Sequence, residues 1–174
     1  MKENVSFEPA RESDVERLNR IVNEPDVARY LDLILPVPLE KTQAFFSSMQ
    51  AIRASLWCIV ADKETIGCVG LIPEEEGTKL AHSATIFVYL ERPYWGRGIG
   101  GRAVSFALSE AEGRFERVEA LIVEENTRSL RLFEKHGFVR EGVKRKAFRC
   151  GGMYSNLVMT AKILDCRSTG SHDG

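Results

Sequence analysis

Between Pro93 and Val104 the chain reads PYWGRGIGGRAV, four glycines and two arginines ahead of a stretch with helical periodicity. Glycines at 96, 98, 100 and 101 let the backbone turn sharply and present successive N–H groups at a helix N-terminus, where the helix dipole favours an anion. Arg97 and Arg102 add charge that can reach outer phosphate oxygens. These residue types point to a phosphorylated ligand; glycines that only shape a tight strand-to-helix turn are the plainer alternative. Gly96, Gly98 and Gly101 also spell the G-x-G-x-x-G of a dinucleotide loop, with Glu119 and Glu124 near the spacing of a ribose-binding acid. A dinucleotide fold, however, needs its first glycine at the end of a strand and further β-α units behind it. Here ERPYW separates Leu90 from Gly96, and too little chain follows for a second half. No G-K-[ST] closes the motif, which excludes a Walker phosphate loop.

The elements that position this loop follow from periodicity. VSFEPA is a first strand, SDVERLNRIV a helix with Ser13 and Asp14 as cap candidates, DVARYL a further helical turn, and LEKTQAFFSSMQAIRA another amphipathic helix. LWCIVAD and TIGCVGLI form a hairpin, and KLAHSATIFVYL alternates as a strand, with Leu80, His82, Ala84, Ile86, Val88 and Leu90 on one face and Ala81, Ser83, Thr85, Phe87 and Tyr89 on the other. After the loop come the helix GRAVSFALSEAEG, the strand RVEALIV, the helix TRSLRLFEKHG and two closing strands, FVREGVKRKAF and MYSNLVMTAKIL. The order β-α-α-β-β-β-α-β-α-β-β predicts an α+β (mixed α/β) fold: a central twisted mixed sheet, its strands largely antiparallel, flanked by helices.

YWGRGIGGRAV followed by VEENTRSLRLFEKHGFVREG resembles the two signature regions of the GNAT superfamily of acyl-CoA-dependent N-acetyltransferases. The resemblance covers nearly the whole chain, and NTRSLRLFEKHGFVREG with the closing GGMYSNLVMTAKI is similar to the branch containing ribosomal-protein-alanine N-acetyltransferases. It implies acetyl-CoA as cosubstrate, lying where two strands splay apart. The phosphate loop then maps onto Gly96, Arg97, Gly98, Ile99, Gly100, Gly101 and Arg102, the pantetheine pairs with the backbone of Val88, Tyr89 and Leu90, and Asn126 contacts the cofactor near its reactive end. It also implies an amine acceptor, either a protein N-terminus or a small molecule such as a polyamine or an aminoglycoside. A fold relative that binds acyl-CoA as a sensor, without turnover, is the reading from another class.

Three departures from the family pattern bear on mechanism. Trp95 stands where Gln or Arg is common. Thr85 stands where many members carry a glutamate base, and it cannot accept a proton from an ammonium; His82 is the nearest titratable alternative, but strand parity puts it on the opposite face. Phe133 replaces a tyrosine that protonates the departing thiolate, and it also fits as the C3 residue of a Schellman helix ending with Gly137 and Phe138. Ser129, one turn earlier on the same helix face, is the candidate for serving the thiolate, with a capping or surface serine as its alternative. Tyr154 is a second candidate proton donor. Tyr30, Asp32 and Tyr154 lie in segments expected to line the acceptor side. Without a strong base the chemistry favours an α-amine, whose pKa of about 8 leaves it partly neutral near pH 7.5, over a lysine amine near 10.4.

The chain has 174 residues, 44% hydrophobic and 28% charged, with a net charge of −1. That fits one domain over 1–165, with 166–174 as a flexible C-terminal tail. Near-neutral charge gives no reason to expect nucleic acid as a partner. No apolar run approaches the ~20 residues of a membrane span, and the N-terminus is charged where a signal peptide is apolar. The four cysteines show no metal-site spacing, so no metal is expected, and the compartment is read as a reducing cytoplasm. A monomer and a homodimer are equally compatible with these features.

Overall fold

A computed structural model describes residues 4–164. Seven strands form one sheet: β1 (Val5–Pro9), β2 (Ser55–Ala61), β3 (Glu64–Pro73), β4 (Ser83–Leu90), β5 (Arg117–Val123), β6 (Val139–Cys150) and β7 (Met153–Ile163), in the spatial order β1-β2-β3-β4-β5-β7-β6. Every neighbouring pair is antiparallel except β4–β5. The helices are α1 (Val15–Val22), α2 (Pro25–Ala28), α3 (Leu39–Ala51), α4 (Ile99–Ala111) and α5 (Thr127–Lys135). The architecture is the mixed α+β sheet expected from the element order. The tail assigned to 166–174 lies outside the described residues.

Alternation along the strands sends two apolar layers to opposite faces. Ala84, Ile86 and Leu90 of β4 and Val118, Ala120 and Ile122 of β5 pack with Ile99, Ala103, Val104 and Ala107 of α4. Phe87 and Tyr89 turn to the other face, where Leu18 and Ile21 of α1 meet Val27, Cys58 and Cys68. Each fully buried aliphatic side chain contributes about 1.5–3 kcal/mol, so the two layers fix which face each strand residue serves. Gly70 lies opposite Phe87 in the β3–β4 register, and a Cβ there would come within 2.5 Å of the Phe87 ring. The ring therefore occupies space that only glycine leaves free.

One strand boundary differs from the alternation pattern. β4 begins at Ser83, and Lys79–His82 is a turn with Leu80 58% exposed and His82 exposed. The reason is local: Thr78 Oγ1 donates to the Glu75 carbonyl and accepts from the Leu80 N–H, while Ala81 and Ser83 donate to the Thr78 and Leu80 carbonyls. A Thr turn satisfies these backbone groups and removes them from the ladder.

The β2–β3 hairpin turns on Asp62 and Lys63, both with positive φ, 49° and 70°. A two-residue turn of this type favours glycine at the second position, and a left-handed conformation costs an L-residue roughly 1–2 kcal/mol. We expect Lys63→Gly to raise stability by about 0.5–1 kcal/mol after glycine's extra chain entropy is subtracted. The check is a higher urea midpoint at an unchanged m-value.

Candidate functional site

β4 and β5 pair in parallel over only three rungs, Ser83–Arg117, Ala84–Val118 and Thr85–Glu119. Beyond them the strands part, and a cleft of about 490 Å³ opens between Ile86–Leu90 and Ala120–Val123. β5 remains bonded to β7 over its whole length, so the break falls only on the side facing β4. The Glu91 N–H donates to the Ile66 carbonyl, and Cys68 faces Tyr89. Ladder alternation then points the N–H and C=O of Tyr89 at β3 and those of Val88 and Leu90 into the cleft. Backbone groups on such an open edge need partners. An extended chain carrying amides meets that need.

The glycine loop closes one end of the cleft. Gly96 and Gly98 have φ of 75° and 77°, and Gly98 is the N-cap of α4. A Cβ at either meets no protein atom within 4 Å, so glycine there serves backbone conformation and leaves the space in front open. Gly100 and Gly101 begin α4 and face α5, a Cβ on Gly101 lying 3.4 Å from His136 Cε1. Trp95 ties the loop to both walls: its indole N–H donates to the Leu90 carbonyl at 2.7 Å, and the Arg128 guanidinium lies 3.6 Å above its ring. Burial against this surface lowers the pKa of Arg128.

The arginines nearest the glycines in sequence are not the cations that line the cleft. Arg102 donates to the Val5 carbonyl at 3.0 Å, and Arg97 lies 5.4 Å from the Tyr94 ring centroid. Arg128, Arg131 and Lys135 of α5 line the cleft in their place. Their i, i+3, i+7 spacing on one helix face is the signal that could have found them.

Of the other residues singled out by sequence, Val88, Tyr89, Leu90, Ile99, Asn126 and Ser129 all line the cleft. Asn126 is also the N-cap of α5, its side-chain oxygen accepting the Ser129 N–H at 3.2 Å. Ser129 is half-buried and lines the cleft. Tyr30 lines the cleft and Asp32 is exposed outside it. Tyr154 is 57% exposed on the β6–β7 hairpin, its ring between Lys146 and Arg149, and it does not reach the cleft. Phe133 closes the Schellman ending: the Phe138 and Gly137 N–H groups donate to the Phe133 and Glu134 carbonyls, and the two phenyl rings stand 4.9 Å apart. Cys58 and Cys68 face each other in the β2–β3 register as free, buried thiols; burial pushes the Cys58 thiol up to about 12 and that of Cys68 also upward. Neither is a nucleophile at neutral pH. Among the described residues no group of three His, Cys, Asp or Glu could hold a metal ion.

The acetyltransferase (GNAT) domain family model matches residues 4–139. The chain belongs to the GNAT acetyltransferase family. Among curated GNAT relatives, the Bacillus subtilis protein named "Probable N-acetyltransferase YjcK" is 32% identical over 98 residues, 55% of this chain. That match spans about half, 53%, of the relative's own length. The ribosomal-protein-alanine N-acetyltransferase of Brucella melitensis superposes with a TM-score of 0.82 at 23% identity, over 91% of this chain and 99% of that one. The spermidine N-acetyltransferase of Vibrio cholerae, solved with CoA and spermine, superposes with a TM-score of 0.81 at 17% identity, over 91% and 95%. Two GNAT members named for different acceptors thus match this backbone equally well, so the fold leaves the acceptor open.

Proposed function

We propose that the chain transfers an acetyl group from acetyl-CoA to a primary amine, and that the acceptor is an N-terminal α-amine of a protein or peptide. The observation that carries this reading is the opening of β4 from β5 directly beside a helix N-terminus whose glycines leave room for a phosphate. The N–H groups of residues 96–101 and the cations of α5 would hold the phosphates. Val88 and the Leu90 N–H offer the strand edge to the pantetheine amides. The Val88 N–H is placed to stabilise the oxyanion of the tetrahedral intermediate, a role worth roughly 2.7–4 kcal/mol per donor in acyl-transfer enzymes. Ser129 is the group that protonates the departing thiolate. Unpaired buried thiols at Cys58 and Cys68 suit a protein of the reducing cytoplasm.

The amine's own basicity supports the α-amine. An ammonium of pKa about 8 yields its proton far more readily than a lysine ammonium at about 10.4, and Thr85 puts no base on β4 to offset the difference. The test is release of free CoA thiol from acetyl-CoA against peptides with free N-terminal Ala or Ser, lysine peptides blocked at the N-terminus, polyamines and aminoglycosides. Turnover of the α-amine peptides is expected. Equal turnover of blocked lysine peptides near pH 7 rejects the α-amine, and silence across the panel with tight acetyl-CoA binding by calorimetry favours a sensor. Ser129→Ala is expected to lower kcat about 10²-fold with acetyl-CoA affinity retained, because the cap to Asn126 uses the backbone N–H, which alanine keeps.

A further inference from the structure

Leu121 is 49% exposed although β5 is an interior strand of the sheet. Its neighbours Ala120 and Ile122 enter the core beneath α4, so Leu121 projects from the opposite face. Thr85 and Glu119 form the last rung before β4 and β5 part. Two residues further on, Phe87 and Leu121 stand level across the opening, on that same face. Both line the cleft, and Tyr30 and Leu31, just past α2, line it beside them. Phe45 of α3 meets the Phe87 ring edge to face, centroids 6.5 Å apart. On the other strand, Leu121 is the in-register partner of Met159, and such partners share a face. The Met159 methyl in turn lies over Gly142 of β6, 2.7 Å from where a Cβ would stand. An apolar row thus crosses the sheet with the cleft in its middle.

The row's own residues are uncharged, and the charged residues around it are engaged elsewhere. In the cleft lining, Asp26 pairs with Arg92 at 2.6 Å and Arg128 lies on the Trp95 ring. Arg131 and Lys135 belong to α5, which packs with α4 on the other face. Further down the same face, Glu119 and Glu141 are both held by Arg117. A donor bound at the glycine loop and α5 leaves the Phe87–Leu121 side as the approach open to an amine. An amine arriving there lays the group next to it on Phe87, Leu121 and Leu31. Contiguous apolar surface beside a cleft marks a binding surface.

We propose that this row is the pocket for the first side chain of the acceptor peptide, and that it selects an apolar residue such as leucine over a small polar or charged one; this rests on the acetyl-transfer reading above. Taking a leucine side chain out of water favours binding by about 10- to 100-fold. Lysine or aspartate at the same place sheds its hydration and finds no partner in the row. Polyamines and aminoglycosides, with several charges each, are disfavoured for the same reason.

The test measures kcat/KM for thiol release with peptides identical except for a first residue of Leu, Ala, Ser, Asp or Lys. It compares the wild type with Leu121→Gln, Leu121→Asp and Leu80→Asp. Leu80, 58% exposed in the turn before β4 and outside the cleft lining, controls for the loss of an exposed leucine. The wild type should use the Leu peptide about 10- to 100-fold better than the Ser or Asp peptide. Leu121→Gln should remove most of that preference, and Leu121→Asp should raise the Lys peptide above the Leu peptide. Both should bind acetyl-CoA as the wild type does, by calorimetry, and Leu80→Asp should keep the wild-type ranking. A ranking that survives Leu121→Asp overturns the proposal. If that variant also turns a dimer into a monomer, the row belongs to a second copy of the chain; if it only loses acetyl-CoA affinity, Leu121 serves the donor. Wild-type silence with every peptide overturns the α-amine reading and the pocket together, whereas equal turnover of all five sinks the pocket alone.

Discussion

Replacing Gly98 by valine is expected to weaken acetyl-CoA binding by at least about 100-fold while leaving the protein folded. The two effects separate because of what surrounds the residue. A Cβ at Gly98 meets no protein atom within 4 Å, so the protein itself raises no clash. The stability cost is therefore the left-handed backbone, φ 77°, roughly 1–2 kcal/mol for an L-residue and more for a β-branched one. The open space in front of Gly98 is where the phosphates must approach the N–H groups of the α4 N-terminus. Hydrogen bonds to charged groups contribute about 1.5–3 kcal/mol each, and losing one or two of them gives the stated factor. Gly100→Ala is the control. That residue lies within α4, its φ is not in the left-handed range, and a Cβ there sits at ordinary contact, 3.6 Å from Leu132 and 3.7 Å from Leu90. It is expected to be neutral or stabilising by up to about 1 kcal/mol. Calorimetric titration with acetyl-CoA and urea melts of both variants measure the pair; a Gly98→Val protein that binds like wild type removes the phosphate role from the loop.

What the sequence made legible was set by interactions between near neighbours in the chain. Gly137 and the Phe133–Phe138 pair could be read because a Schellman ending is closed by hydrogen bonds within six residues. Gly98 could be read because only local backbone geometry demands it. Arg102 lies outside the cleft lining for the complementary reason. Adjacency to the loop says nothing of direction, and a residue two or three places along a helix turns through 200° to 300°, which carries Arg102 to β1. The strand before Ser83 was overextended because alternation at Leu80 and His82 ignores a threonine that satisfies the turn. Tyr154 depended on where a long hairpin ends, which no periodicity encodes. Glu119 lies 34 residues beyond Thr85, and only the register of two parallel strands makes them neighbours. Neighbours that meet only by pairing across the sheet are invisible to spacing.

Trp95→Ala is expected to cost about 3 kcal/mol and to lower the melting temperature by about 6–12 °C for a chain of this length. Trp95 packs against both apolar layers, which otherwise lie on opposite faces of the sheet. It also carries two tethers, its N–H on the Leu90 carbonyl and its ring beneath Arg128, the latter worth about 0.5–2 kcal/mol. Trp95→Phe separates these contributions: the ring can still support Arg128 and fill most of the space, while the Leu90 carbonyl loses its donor, a loss of about 1 kcal/mol. The two variants should also differ in function. With alanine, Arg128 has no surface to lie on and the loop is no longer tied to β4, so KM for acetyl-CoA rises along with the loss of stability. With phenylalanine, Arg128 stays and KM moves little. Thermal melts and acetyl-CoA titrations of both proteins decide the matter. If Trp95→Phe lowers affinity as far as Trp95→Ala does, the hydrogen bond to Leu90, and not the Arg128 stack, holds the loop against the open edge of β4.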